Sequence, residues 1–358
     1  MVQLIHGGDI YTERKKGRGE GLLDFSANIN PLGMPESVIN AVAAGLSDCV
    51  NYPDPLSRDL ILALSRRENL PEACFVCGNG AADVLFRLVV AKAPGRAMVT
   101  APTFAEYQLS LERMGCRVEH HYLKEEEGFR LTEELLPKLD AGLDMLFLCN
   151  PNNPTGQIIE TGLLLKILDR CKELGILLVL DECFCDFVKN AEDYTMKSHV
   201  LQCGNLFILK AFTKNYAMPG LRLGYGICGN KELTEQIWET GQPWSVSLPA
   251  QLAGLQALKE EEFLEKTREL IFVQRERMAC GLRELGFTVY PPGANFIFFK
   301  LGEGYQASGF KELLLQHGIL IRGCGNYTGL SGDFFRVAVK KEEDNNRLLE
   351  ALKRIRKR

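Results

Sequence analysis

The 358-residue sequence has no apolar run approaching the roughly eighteen residues that a bilayer-spanning helix needs. It has no excess of basic charge either. Its 42 lysines and arginines face 46 acids, and a net charge of -4 offers nucleic acid no positive field. Internal repeats and low-complexity segments are missing. Met1 to Ile10 shows no basic region followed by an apolar core, so no signal peptide is expected. Histidines are few and scattered: His6, His120, His121, His199 and His317. Cysteine is abundant at twelve, but a structural zinc site needs four close ligands, usually as two pairs. The pairs Cys74/Cys77 and Cys183/Cys185 fall in strand-like runs, where small buried thiols explain them better than a metal or a disulfide framework. The expectation is a soluble cytoplasmic protein with reduced thiols and no metal.

What is present points to a large core. A hydrophobic content of 46% over this length predicts more than one domain. The first 21 residues read as a polar arm, Gly- and charge-rich from Tyr11, with a possible functional tip at His6-Gly7-Gly8. Helical periodicity covers Pro35 to Leu46 and Ser57 to Asn69. Seven apolar runs then alternate with helical stretches: Cys74–Cys77, Ala97–Thr100, Arg117–Tyr122, Met145–Cys149, Ile176–Leu180, Leu206–Leu209 and Tyr225–Cys228. That alternation predicts an α/β fold with a mostly parallel sheet covered on both faces. A helical region from Ala250 to Leu285 leads to a changed pattern, with strands at Phe287–Tyr290, Asn295–Lys300, Ile319–Ile321 and Phe335–Val339 and a closing helix Glu342–Arg356. The basic end Lys353 to Arg358 suits a helix C-terminus. The division expected is 1–34 as arm and small-domain segment, 35–250 as large domain and 251–358 as a smaller α+β domain.

Several residues carry chemistry. Leu206–Leu209 feeds a loop with Thr213 and Lys214, and Arg222 follows eight residues later between Gly220 and Gly224. A loop lysine is ordinarily solvated. This one follows a core strand, with a hydroxyl beside it and a second cation in a Gly/Pro-rich frame. Such a setting suits an amine that forms a Schiff base beside groups that hold a phosphate. Gly78-Asn79-Gly80-Ala81-Ala82-Asp83 lies between a strand and a helix, where small residues let backbone N–H groups approach a phosphate; a tight turn would use the same residues. Phe104 follows the next strand and can stack on a flat ring or pack in the core. Two prolines fix the loop Asn150 to Gly156, which offers the Asn153 amide rigidly. Asp181 and Glu182 end an apolar strand, where a carboxylate needs a cationic partner. Arg336 interrupts an apolar strand, which a bidentate carboxylate partner would explain.

Taken in order, Gly80/Ala81/Ala82, Phe104, Asn153, Asp181, Lys214 and Arg222 resemble the site of fold-type I pyridoxal-phosphate enzymes, and the resemblance covers nearly the whole chain. It implies that Lys214 binds pyridoxal 5'-phosphate and that Asp181 faces the ring nitrogen, with Glu182 behind it. Phe104 would lie over the ring and Asn153 would bond the phenolic oxygen. Gly80, Ala81, Ala82, Thr213 and Arg222 would hold the phosphate. Tyr52, in Asn51-Tyr52-Pro53-Asp54, matches a tyrosine that reaches the neighbouring subunit's cofactor, which implies a homodimer with shared sites. Arg336 matches an arginine that clamps a substrate α-carboxylate.

Within that group the chain is similar to the threonine-phosphate decarboxylases of cobamide synthesis. The similarity lies at His6-Gly7-Gly8, at Asp24 to Pro35, at Phe104 to Tyr107, at Pro243 to Val246, and at Ile319 to Arg322 with Asn326-Tyr327. Histidinol-phosphate aminotransferases share fewer of these motifs and supply the alternative. Phe184 stands where many aminotransferases carry a tyrosine hydroxyl, and Ala211 where a phosphate-holding hydroxyl is common. The activity implied is decarboxylation of O-phospho-L-threonine, with phosphoserine left open. The substrate's phosphate and carboxylate would divide among His6, Gly7, Asn30, Arg322 and Arg336 in a way the sequence does not resolve. Whether Thr213 compensates for Ala211 also stays open.

Overall fold

A computed structural model describes residues 6–18 and 21–356. Met1–Ile5, Gly19, Glu20, Lys357 and Arg358 lie outside the described residues, and with them parts of the expected arm and basic terminus.

Seven strands form the main sheet. Their order is Phe75–Gly78, Gly224–Cys228, Leu206–Ala211, Leu177–Asp181, Met145–Cys149, Arg96–Ala101 and Arg117–Tyr122. All run parallel except Gly224–Cys228, which is antiparallel to both neighbours. The continuous apolar runs follow from burial on both faces. Along Met145–Cys149, Phe147 enters one core with Val179 and Phe207, whereas Leu146 and Leu148 enter a second with Leu178 and Ile208. The edge strand Arg117–Tyr122 is only half-buried and carries Arg117, Glu119 and His120, which discourages pairing with another chain.

A four-stranded antiparallel sheet runs in the order Arg322–Gly323, Phe334–Ala338, Phe296–Lys300 and Thr288–Val289. Helices Glu261–Glu284 and Glu342–Arg356 pack against each other, their inward faces burying Ile271, Met278, Leu348 and Leu352.

Three expectations change. The run Ile319–Ile321 divides between two sheets: Ile319–Leu320 pairs in parallel with Leu23–Asp24, and only Arg322–Gly323 joins the four strands. The helical region 250–285 is two helices, Leu248–Ala257 and Glu261–Glu284; Ser247 caps the first by accepting a hydrogen bond from the Ala250 N–H at 3.3 Å. The arm is not featureless. Asp9 caps a short helix, Ile10–Lys15, through the Thr12 N–H at 3.1 Å, and the buried Glu13 pairs with Lys16 and Arg18.

Candidate active site

The carboxyl ends of Met145–Cys149, Leu177–Asp181 and Leu206–Ala211 open onto a cavity of about 410 Å³, the usual ligand position in an α/β sheet. Lys214, Asp181, Phe104, Asn153, Thr213, Arg222, Ala81, Ala82, Arg336, His6 and Gly7 line it. Residues spread over 330 positions of sequence thus meet around one space.

At one end Ala81 and Ala82 begin the helix Ala81–Lys92 and line the cavity, and the first N–H groups of a helix have no partner within it. Thr213 and Arg222 stand beside them. Gly80 has φ +85°, and a Cβ there would collide with the Arg222 guanidinium, so glycine is what lets the cation approach. Gly224 is required for a similar reason: its Cβ would strike the Ala81 backbone nitrogen.

At the other end Asp181, only 6% exposed, accepts from the Cys183 N–H at 2.9 Å and from the Tyr107 hydroxyl at 2.5 Å. Burial pushes its carboxyl upward against these bonds and the nearby Lys214. Burial, then the Arg336 charge, pushes the Lys214 amine down to about 8, with Arg222 adding to the effect. Arg336 is buried; it donates through Nη1 to Asn153 Oδ1 and through Nη2 to the Ser26 carbonyl at 2.8 Å. With its oxygen thus engaged, Asn153 has its NH₂ left to serve as a donor. Phe104 flanks the cavity, edge-to-face with Tyr107 at 5.6 Å. His6 bonds Glu106 at 2.7 Å and leans on Phe104 at 5.7 Å, and the His6 bond holds the Glu106 carboxyl low. Gly7 is pressed so closely on the Ser26 carbonyl that no side chain fits, and the Gly8 N–H donates to Ser26 Oγ at 2.7 Å.

Not every expected residue arrives. Asn30 is a correction: its side chain is buried away from the cavity, and every polar group on it is bonded within the protein. Two residues earlier, Asn28 lines the cavity instead, with a buried side-chain oxygen that has no partner among the described residues. Arg322 lies in an adjoining depression of about 160 Å³ that shares His6, Phe104 and Tyr327 with the main cavity. Its guanidinium bonds the Gly323 carbonyl at 2.7 Å and Asn326 Oδ1 at 2.8 Å. Tyr52 is 79% exposed outside the cavity and stacks on Trp244 at 4.5 Å. Tyr107 was missed as a partner of Asp181. Its spacing of three from Phe104 at a helix start could have marked it, since residues three apart share a face. Among the described residues no group of three or more histidines, cysteines or acids is placed to hold a metal, and ten of the twelve cysteines, including both close pairs, are buried free thiols.

The chain is 39% identical over 362 residues to threonine-phosphate decarboxylase of Salmonella typhimurium, covering 99% of this chain and 97% of that one. It is 30% identical to the adenosylcobalamin biosynthesis bifunctional protein CobDQ of Leptospira interrogans, covering 98% of this chain and 41% of the longer protein. The crystal structure of histidinol-phosphate aminotransferase from Clostridium acetobutylicum superposes with a TM-score of 0.88 at 32% identity, covering 94% of this chain and 99% of that one. The model of the family "Aminotransferase class I and II" matches residues 20–352, and the chain belongs to that family.

Proposed function

We propose that this protein is a pyridoxal-phosphate-dependent carboxy-lyase. It converts O-phospho-L-threonine to (R)-1-aminopropan-2-yl phosphate and CO₂ for assembly of the cobamide nucleotide loop. The observation that carries the reading is the 39% identity to a threonine-phosphate decarboxylase across almost the full length of both chains. Phe184 supports it: the side chain lining the cavity there brings no hydroxyl to the ring, and it packs edge-to-face on Phe296 at 5.2 Å.

The cofactor is pyridoxal 5'-phosphate, and the cavity's residues fit it. Helix N–H groups at Ala81 and Ala82, the Thr213 hydroxyl and Arg222 suit its phosphate. Among the described residues the hydrogen bonds to Asp181 come from neutral donors and burial penalises its charge, so a pyridinium N–H would be a charged donor that suits it. When bound, the cofactor supplies an electron sink for the pair left at the substrate's α-carbon.

The chain's own residues do the rest. Asp181 keeps the ring nitrogen protonated, and the Tyr107 hydroxyl holds Asp181 in place. Lys214, with its amine pushed down to about 8, can hold or release a proton near neutral pH beside the α-carbon. Arg336 would fix the substrate carboxylate, and the Asn153 NH₂ would be the donor to the ring's phenolic oxygen. His6, Gly7 and Arg322 would take the substrate's own phosphate, with Asn28 in the place first given to Asn30.

Tyr52 completes the neighbouring subunit's phosphate site in a homodimer. Exposed Ile39, Leu46, Val50, Tyr52, Leu56 and Trp244 support a covered surface there. The division at residues 34 and 250 belongs to the same reading; pairing of Leu23–Asp24 with Ile319–Leu320 supports placing the first segment with the last. The location is cytoplasmic, which the buried free thiols support; no helix among the described residues is long and apolar enough to cross a membrane.

The test offers the holoenzyme three amines separately, without a keto acid: O-phospho-L-threonine, O-phospho-L-serine and histidinol phosphate. CO₂ from the first, with no aminated cofactor from the third, is the expected result; the second settles the methyl preference. Stoichiometric pyridoxamine phosphate from histidinol phosphate, without CO₂ from either amino acid, would hand the function to an aminotransferase.

A further inference from the structure

After the edge strand Arg117–Tyr122 the chain leaves the main sheet in a loop that reaches across to the four-stranded sheet. The Phe129 N–H closes this loop by donating to the Lys124 carbonyl at 2.9 Å, and Lys124 Nζ pairs with Glu127 and Glu134. Phe129 is 2% exposed and sits at φ +58°, a conformation that a bulky residue rarely adopts. Its ring meets Tyr290, Phe298 and Phe334 edge-to-face, at 5.0, 5.5 and 5.6 Å. Beside it Glu125 accepts from the Tyr290 hydroxyl and from Lys300 Nζ, both at 2.8 Å. With Leu123 and Cys324 these rings form an apolar cluster separate from the two cores that flank the main sheet.

We propose that Phe129 is a positioning residue: it mounts one end of the strand Phe334–Ala338 and so fixes Arg336 over the cavity for the substrate's carboxylate. The proposal rests on the function given above and deepens it. Arg336 is the middle residue of that strand. At one end the Ala338 N–H donates to the Phe25 carbonyl at 2.8 Å, and at the other Phe334 packs on Phe129. Phe334 lies two residues before Arg336 and Phe298 lies directly across from it, so both project from the same face of the sheet as the guanidinium. Phe129 therefore packs on the face that presents Arg336. The bonds to Asn153 and Ser26 tie the tip of that side chain, whereas the strand sets its base. Shortening the Phe129 ring leaves space at the Phe334 end that close-packed neighbours fill only in part, so the strand gains freedom to pivot about the Phe25 bond.

The test compares wild type, Phe129→Leu and a control, Leu168→Ala. Leu168 is 1% exposed in the helix Thr161–Leu174 and packs in a core on the far side of the main sheet from Phe147. The first readout is kcat/KM of the holoenzyme for O-phospho-L-threonine, followed as CO₂ release. Phe129→Leu is expected to lower it about tenfold, because a small misplacement of a substrate-positioning group is costly in rate. The second readout, on cofactor-free protein, is pH titration of Lys214 labelling. Arg336, Arg222, Asp181 and Cys183 act on that amine, and a loosened Arg336 holds it down less, so its titration is expected to move up. Leu168→Ala is expected to lower the melting temperature and to move neither readout. A wild-type value of either readout in Phe129→Leu, or an equal change in Leu168→Ala, would overturn the proposal. Should Phe129→Leu not fold, Phe129→Met takes its place with the same outcomes. If wild type releases no CO₂, the functional reading fails, while the lysine titration still decides whether Phe129 holds Arg336 in place.

Discussion

Replacing Arg336 by methionine separates two effects that the proposed function gives to one side chain. Methionine has similar length and no charge, so packing near Phe296 changes little while the guanidinium is lost. The first effect falls on the substrate. A buried guanidinium that loses its carboxylate partner, or the reverse, typically costs about 2–5 kcal/mol. Taking about 3–4 kcal/mol gives a fall of about 10²–10³ in kcat/KM for O-phospho-L-threonine. The second falls on Lys214, whose amine is held near 8 by burial and then by Arg336. Removing that cation moves the amine's titration upward, toward the ordinary lysine value of 10.5. The assays are CO₂ release against substrate concentration and pH titration of Lys214 labelling in cofactor-free protein. The freed Asn153 and Ser26 oxygens face the cavity and can take water, so the melting temperature serves as a control. A kcat/KM within a fewfold of wild type, or a lysine titration that stays put or moves down, would refute the assignment of Arg336.

Two further perturbations address what supports the site. Tyr107→Phe removes one of the two donors to Asp181; a hydrogen bond to a charged group is worth about 1.5–3 kcal/mol, so cofactor affinity in a direct titration is expected to fall about 10- to 100-fold. Unchanged affinity would remove Tyr107 from the account. Glu68, behind the lysine strand, bonds the Tyr225 hydroxyl at 2.7 Å and faces Lys210 and Lys197. Burial opposes its charge, but these partners outweigh it and pull the carboxyl from 4.5 to about 2. A carboxyl depressed in the folded state stabilises above its unfolded value and loses that contribution as pH falls through the folded one. About 3 kcal/mol is therefore present above pH 4.5 and lost toward pH 2. In denaturant titrations Glu68→Gln is expected to be less stable at pH 7 and to lose much of the acid-side slope; an unaltered slope would contradict this.

The main sheet was legible because its strands are buried on both faces and read as unbroken apolar runs, each bounded by a turn rich in Gly, Pro or Asn. The residues at their ends were legible for the same reason: Asp181 and Lys214 are polar groups where only apolar ones belong. Asn30 misled because its motif is local, whereas what decides its role is distant. Asn215 and Thr267, which take up its donors, lie 185 and 237 residues away. No spacing in the sequence distinguishes it from Asn28, which sits two residues earlier and turns to the opposite task. Ile319 to Gly323 escaped similarly, because one short apolar run divides between two sheets whose partners are remote. The arm's helix was hidden by composition, since a buried glutamate such as Glu13 looks solvated until Lys16 and Arg18 close over it.

The central claim is that this cavity directs cleavage to the carboxylate of a phosphorylated amino acid. It is tested most directly by carbon-13 NMR of the holoenzyme with O-phospho-L-threonine labelled at the carboxyl carbon. The account predicts that the label leaves as CO₂ and bicarbonate, in step with unlabelled aminopropanol phosphate. Label retained in a 2-keto acid, with the cofactor converted to pyridoxamine phosphate, would contradict it.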